Sequence, residues 1–238
     1  MEIILTKKPK DVILVEGFPG FGLIGTIVTE YLIDHLDCES IGTIVSEEIP
    51  PMVALHKGEV VQPIEIFYNK KFNIVFLHVV TNPAGLEWQF SEVVLKLANM
   101  LEAKEIISVE GVGSANPDDN PKTFYYSNSE KIKKDFQRLN VDELKEGVIM
   151  GVTGTILLKA KNTKQTMSCI FAETHSAMPD SKAAAAVIRV MDKYLGLNVD
   201  AKPLEKQAEQ FENKLRAIMT KGKEAVEVQQ KKQLSYMG

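Results

Sequence analysis

The pattern with the most chemical promise is GFPGFGLIG, which places glycines at positions 17, 20, 22 and 25. Within it, Gly20-x-Gly22-x-x-Gly25 follows an apolar, strand-like run and opens a helix-like one. A dinucleotide pyrophosphate approaches a helix N-terminus in that context, and Glu47 or Glu48, roughly twenty residues on, could meet a ribose hydroxyl. The same glycines Gly17, Gly20, Gly22 and Gly25 equally suit a structural turn, a tight chain reversal that lets helix and sheet approach closely with no ligand. A second cluster, Glu173, His175 and Asp180 in AETHSAMPD, falls between a strand-like and a helix-like segment, where α/β folds gather active sites. His175 and Asp180 could form an acid–base pair; alternatively, Asp180 or Ser181 caps the following helix. A nucleotide- or nucleoside-binding enzyme using the Gly20–Gly25 loop and the His175 region is therefore the alternative to a structural turn and a helix cap.

Other catalytic signals are sparse. His35, His56, His78 and His175 show no metal-ligand spacing, and His35 and His78 suit a helix and a strand interior. No paired-cysteine site, H-E-x-x-H, Walker loop or G-x-S-x-G elbow occurs. No catalytic residue, cofactor or metal is therefore expected. Cys38 and Cys169 sit in apolar segments and read as buried thiols of a reducing compartment. With 28 basic and 32 acidic residues, the net charge of −4 offers no footprint for nucleic acid. No apolar run approaches the ~20 residues that cross a bilayer, and the N-terminus lacks a secretory pattern, so a cytoplasmic protein without a membrane partner is expected.

The elements that would position these groups alternate. Val12–Glu16, Ser40–Val45, Asn73–Val79 and Glu105–Val109 read as strands, with Cys169–Ala172 as a further partner. Val60–Phe67 contains Pro63 and is expected at a sheet edge, because proline cannot donate to a ladder. Val148–Leu158, broken by Gly151 and Gly154, reads as another strand. Helical spacing marks Gly22–Leu36 and a face of Leu86, Phe90, Val93, Val94, Leu97, Met100 and Leu101. The alanine-rich run after Ser181 is the strongest helix, with Gly196 as its C-cap. Phe124, Tyr125 and Tyr126 form an aromatic row, of which at least one residue should lie near the surface. The class is α/β, with a largely parallel or mixed sheet.

Near residue 200 the character changes. Residues 200–238 hold eight basic and six acidic residues, so the rest carries −6. Leu204, Ala208, Phe211, Leu215 and Ile218 follow 4-3-4-3 spacing, a two-heptad packing seam. A helix from Leu204 to Lys232 would be about 43 Å long, too polar for a core. The expected organisation is a body over residues 1–200 and a C-terminal helical arm over residues 201–238, hinged near Gly222.

EGFPGFGLIGTIVTEYLIDHL, EGVGS, GVTGTILL and AETHSAMPDSKAAAAVIRVMDKYLGLNVD, followed by a charged tail, together resemble the proteasome assembly chaperone 2 family, most of all its archaeal homologues. The resemblance spans essentially the whole chain. It implies a non-enzymatic protein with a phosphorylase-like three-layer α/β/α body and a protruding helical tail. It also implies a homo-oligomer (a tetramer or pentamer) that assists assembly of the proteasome α-ring. The client-binding residues would be those of the tail: Lys231, Lys232, Leu234, Tyr236, Met237 and Gly238. Such chaperones can end in a hydrophobic–tyrosine–any residue triplet, whereas here Tyr236 stands third from the end and follows Ser235. A shifted docking register, or a protein-binding module for a non-proteasomal client, is then implied.

Overall fold

Strand and helix periods alternate along the chain because each strand must bury two faces, and each helix one stripe, against a shared core. The computed structural model describes residues 1–206 except positions 50, 52, 57–58, 114–119 and 175–177. The first half contains β1 (Glu2–Leu5), β2 (Ile13–Gly17), α1 (Ile24–His35), β3 (Glu39–Val45), β4 (Ala54–His56), β5 (Glu59–Val61), β6 (Ile64–Asn69), β7 (Ile74–Val79) and α2 (Glu87–Met100). The second contains β8 (Glu105–Gly113), β9 (Thr123–Ser127), α3 (Glu130–Arg138), β10 (Asp142–Glu143), α4 (Gly151–Ala160), β11 (Met167–Thr174), α5 (Ser181–Leu195) and α6 (Lys202–Lys206).

Nine strands form one mixed sheet in the order β1-β3-β6-β7-β2-β8-β11-β9-β10, while β4 and β5 pair separately. Its centre, β7-β2-β8-β11, is parallel. Antiparallel neighbours β6 and β9 flank that centre. Successive side chains in β2 alternate between two cores: Val15 joins α1 and α5, whereas Leu14 joins α2 and α4. The helix pairs thus lie on opposite faces of the sheet. On the first face, Tyr125, Phe136 and Tyr194 stack with centroids 4.8 and 4.5 Å apart. Ala183–Ala186 are buried there, and their small side chains let α5 approach α1. On the second face, the Thr155 hydroxyl of α4 donates to the Glu87 carbonyl of α2 at 3.0 Å.

Two expectations are corrected. The strand after Pro63 is internal, lying between β3 and β7. Pro63 precedes it, so no ladder donor is lost, and its carbonyl accepts from the Val80 amide at 2.9 Å. GVTGTILL is helix α4, not a strand. Its buried positions Val152, Ile156 and Ala160 recur at four-residue intervals, and this tertiary packing overrides the β-branched composition. Phe124 and Tyr126 are half-buried while Tyr125 is fully buried, as pleat alternation requires. Leu204 in α6 is buried and the Arg189 guanidinium bonds Glu205 at 2.6 Å, so α6 packs on α5. Ala208, Phe211, Leu215 and Ile218 of the seam, and Lys231, Lys232, Leu234, Tyr236, Met237 and Gly238 of the tail, lie outside the described residues.

Candidate functional site

The C-terminal ends of the parallel strands bring the glycine turn and the Asp180 region together. After β2 the chain makes a single 3-10 turn, Phe21–Leu23, before α1. Gly22 sits at φ +65°, and a side chain there would meet the Thr174 hydroxyl at 2.8 Å. A Cβ on Gly25 would lie 2.6 Å from the Val109 carbonyl oxygen, so α1 starts in direct contact with β8. A Cβ on Gly20 would come 3.1 Å from a carboxylate oxygen of Glu110. The glycines therefore permit protein to meet protein.

Asp180 ties three elements at this end. One carboxylate oxygen accepts from the Ala183 amide at 2.9 Å, capping α5, and the other accepts from the Thr174 hydroxyl at 2.9 Å. Its own amide donates to the Gly22 carbonyl at 2.9 Å. Asp180 thus provides the expected helix cap, with Ser181 buried as the first residue of α5. Position 175 lies outside the described residues, so the His175 half of the acid–base reading has no geometry here. Among the other histidines, His78 of β7 is buried against α1, its ring bonded to Thr29 at 2.8 Å and paired with Glu30 at 3.0 Å. The His35 ring stacks on Tyr31.

Two carboxylates that the sequence reading did not single out occupy the α2/α4 side of the same strand ends. Glu16 is fully buried in β2 and accepts from the Ser108 hydroxyl. Burial pushes its carboxyl up to about 8, the Ser108 hydrogen bond opposes the rise, and the Glu110 charge adds to it. Glu110 in β8 is pushed up to about 7 by burial, with the Thr153 hydroxyl of α4 opposing. Each has a buried oxygen without a hydrogen-bond partner among the described residues. Burial, then the charges of Glu16 and Glu110, hold the neighbouring Cys169 thiol well above its ordinary range. The signal was present: both carboxylates sit in a Val-Glu-Gly triplet, at 15–17 and 109–111, where an acid breaks an apolar run.

This arrangement does not form a pyrophosphate cradle. Glu47 and Glu48 follow β3, which β6 and β7 separate from β2, so neither reaches the turn. Next to the turn stands the Glu110 carboxyl, which offers no positive charge to a ligand that would itself be an anion. Among the described residues no group of three or more His, Cys, Asp or Glu could hold a metal ion, and no helix is long and apolar enough to cross a membrane.

What this end of the body does present is apolar surface. A cavity of about 260 Å³ lies between Phe21, Phe124, Phe171, Ile149 and Glu110. Val148 and Met150 at its margin are 86% and 61% exposed. A groove of about 830 Å³ continues along α4 past Leu158 and Lys161. Clustered large apolar side chains in water mark protein-contact surface.

The PAC2 family model matches residues 14–219, and the chain belongs to that family. It is 29% identical to an uncharacterized Methanocaldococcus jannaschii protein, MJ0106, over 87% of this chain and 84% of that one. The crystal structure of Pyrococcus furiosus PbaA, described as an archaeal homolog of proteasome-assembly chaperone, is similar at a TM-score of 0.84 and 31% identity, covering 94% of this chain and 98% of that one. Pyrococcus furiosus PbaB, described as an archaeal proteasome activator, is similar at a TM-score of 0.74 and 25% identity, covering 91% and 98%.

Proposed function

We propose that this PAC2-family protein is a homo-oligomeric chaperone or scaffold that assists proteasome α-ring assembly, using its C-terminal tails to contact the client. The carrying observation is the similarity to PbaA along nearly the full length of both chains. Membership of a family of non-catalytic assembly chaperones makes this chain a binding protein rather than an enzyme. The two helix pairs on opposite sheet faces support the reading of the body as a phosphorylase-like three-layer fold. In this reading an oligomer presents several tails at once, and effective concentration turns weak terminal contacts into avid binding. Tyr236 and Met237 supply apolar anchors, and Lys231 and Lys232 meet acidic surface.

Native mass spectrometry of the full chain mixed with proteasome α subunits tests this. The wild type should form a complex, and deletion of residues 236–238 should abolish it while the homo-oligomer persists. No complex with the wild type would overturn the reading. The likeness to PbaB favours a second reading, in which the client is the assembled proteasome. Stimulated peptidase activity of assembled particles, without binding to free α subunits, distinguishes it.

A further inference from the structure

The cavity at the ends of β8, β9 and β11 is apolar on its walls and acidic in its polar groups. Phe21, Phe124, Phe171 and Ile149 are wall residues, and among the described residues Glu110, Glu146 and Glu173 are the charged ones and no lysine or arginine lines it. Glu110 carries a buried carboxylate oxygen without a donor among the described residues. Fully buried Glu16, on the neighbouring strand, carries another. A cationic N–H donor entering the cavity would meet a lining that holds three carboxyl side chains, Glu110, Glu146 and Glu173, whose charge it complements. Around the mouth, Phe21, Val148 and Met150 leave apolar area in water. The complementary ligand is a positively charged nitrogen followed by apolar side chains.

Residues 229–238, QQKKQLSYMG, have that composition: Lys231 and Lys232 precede Leu234, Tyr236 and Met237, with no acidic residue. The described chain ends at Lys206 on α6, leaving 25 residues to reach Lys231. Even with the expected helix kept up to the hinge at Gly222, those residues span roughly 50 Å, against a body roughly 45 Å across, so the tail can reach the far end of its own subunit. We propose that this cavity is the resting seat of the protein's own C-terminal tail, with the Lys231–Lys232 pair directed at Glu110 and the apolar residues laid against Phe21, Val148 and Met150. Occupied, the seat withholds the tail from a client, and an acidic client surface displaces it. That consequence rests on the proposed tail function; the seat itself does not.

Hydrogen exchange on the full-length protein tests the seat. Lys231→Glu with Lys232→Glu should speed exchange of amides 144–150 by roughly 2- to 10-fold. That range is what a tethered ligand at an effective concentration of about 1 mM gives for a Kd of about 0.1–1 mM. In a Glu110→Gln background the same pair of changes should have little further effect. Unchanged exchange in the charge-reversed protein, or equal acceleration with and without Glu110, would overturn the proposal. Native mass spectrometry with α subunits reads the proposed function separately, since either result can fail while the other stands.

Discussion

Replacing Glu16 by glutamine removes a titratable carboxyl from a fully buried site, and its effect on stability should depend steeply on pH. In the unfolded chain this carboxyl loses its proton near 4.5, whereas in the fold it holds it to about 8. The unfolded state therefore gains on every step up in pH between those values. Stability that is intact below pH 4.5 is progressively lost as pH rises towards 8. At about 1.4 kcal/mol per pH unit of that interval, the wild type forfeits roughly 3 kcal/mol by pH 7 and up to roughly 5 kcal/mol above pH 8. Glu16→Gln keeps the shape and a partner for the Ser108 hydroxyl but has nothing to ionise. Urea unfolding at fixed protein concentration, followed by circular dichroism at pH 5, 7 and 8.5, should show the variant gaining on the wild type as pH rises. Because Glu110 titrates beside it, with Ser108, Thr153 and Cys169 as the other facing groups, part of the slope should survive until Glu110→Gln is added. Parallel stability profiles for the wild type and Glu16→Gln would refute the reasoning.

Gly25→Ala should cost about 1–3 kcal/mol or more in thermal unfolding, since its Cβ would press on the Val109 carbonyl at 2.6 Å and backbone must move. Asp180→Ala removes the α5 cap and the bond to Thr174, so a loss of about 1–2 kcal/mol is expected, or roughly 2–8 °C in Tm; no change would remove its role as a tie. Phe136→Ala opens the stack between Tyr125 and Tyr194 and should cost about 3–5 kcal/mol, read by chemical denaturation.

The strands at the centre of the sheet were legible because burial on both faces leaves continuous apolar runs, as in Ile13–Gly17 and Ile74–Val79. The α5 helix was legible from its alanines, its Asp180 cap and Gly196 at φ +67°. Helix α4 was not, because Val152, Thr153, Thr155 and Ile156 favour strands, and only packing on α2 decides otherwise. Helix α3 escaped because it buries only Ile132 and Phe136 on an otherwise charged surface. At the candidate site, the glycines announced a turn but not what filled the space beside it. Glu16 and Glu110 looked like strand ends, and pairing of β2 with β8 through Glu16 and Ser108 is what juxtaposes them. Such neighbours are fixed by strand order, which local pattern does not encode.

The outermost strands of the sheet, β1 and β10, are only four and two residues long. A second molecule finds little free main chain there to zip onto, so growth by strand addition, the route to fibrils, is blunted at both margins. Any contact between copies of this body is left to side chains, where matching shape and charge rather than main-chain pairing decide the fit.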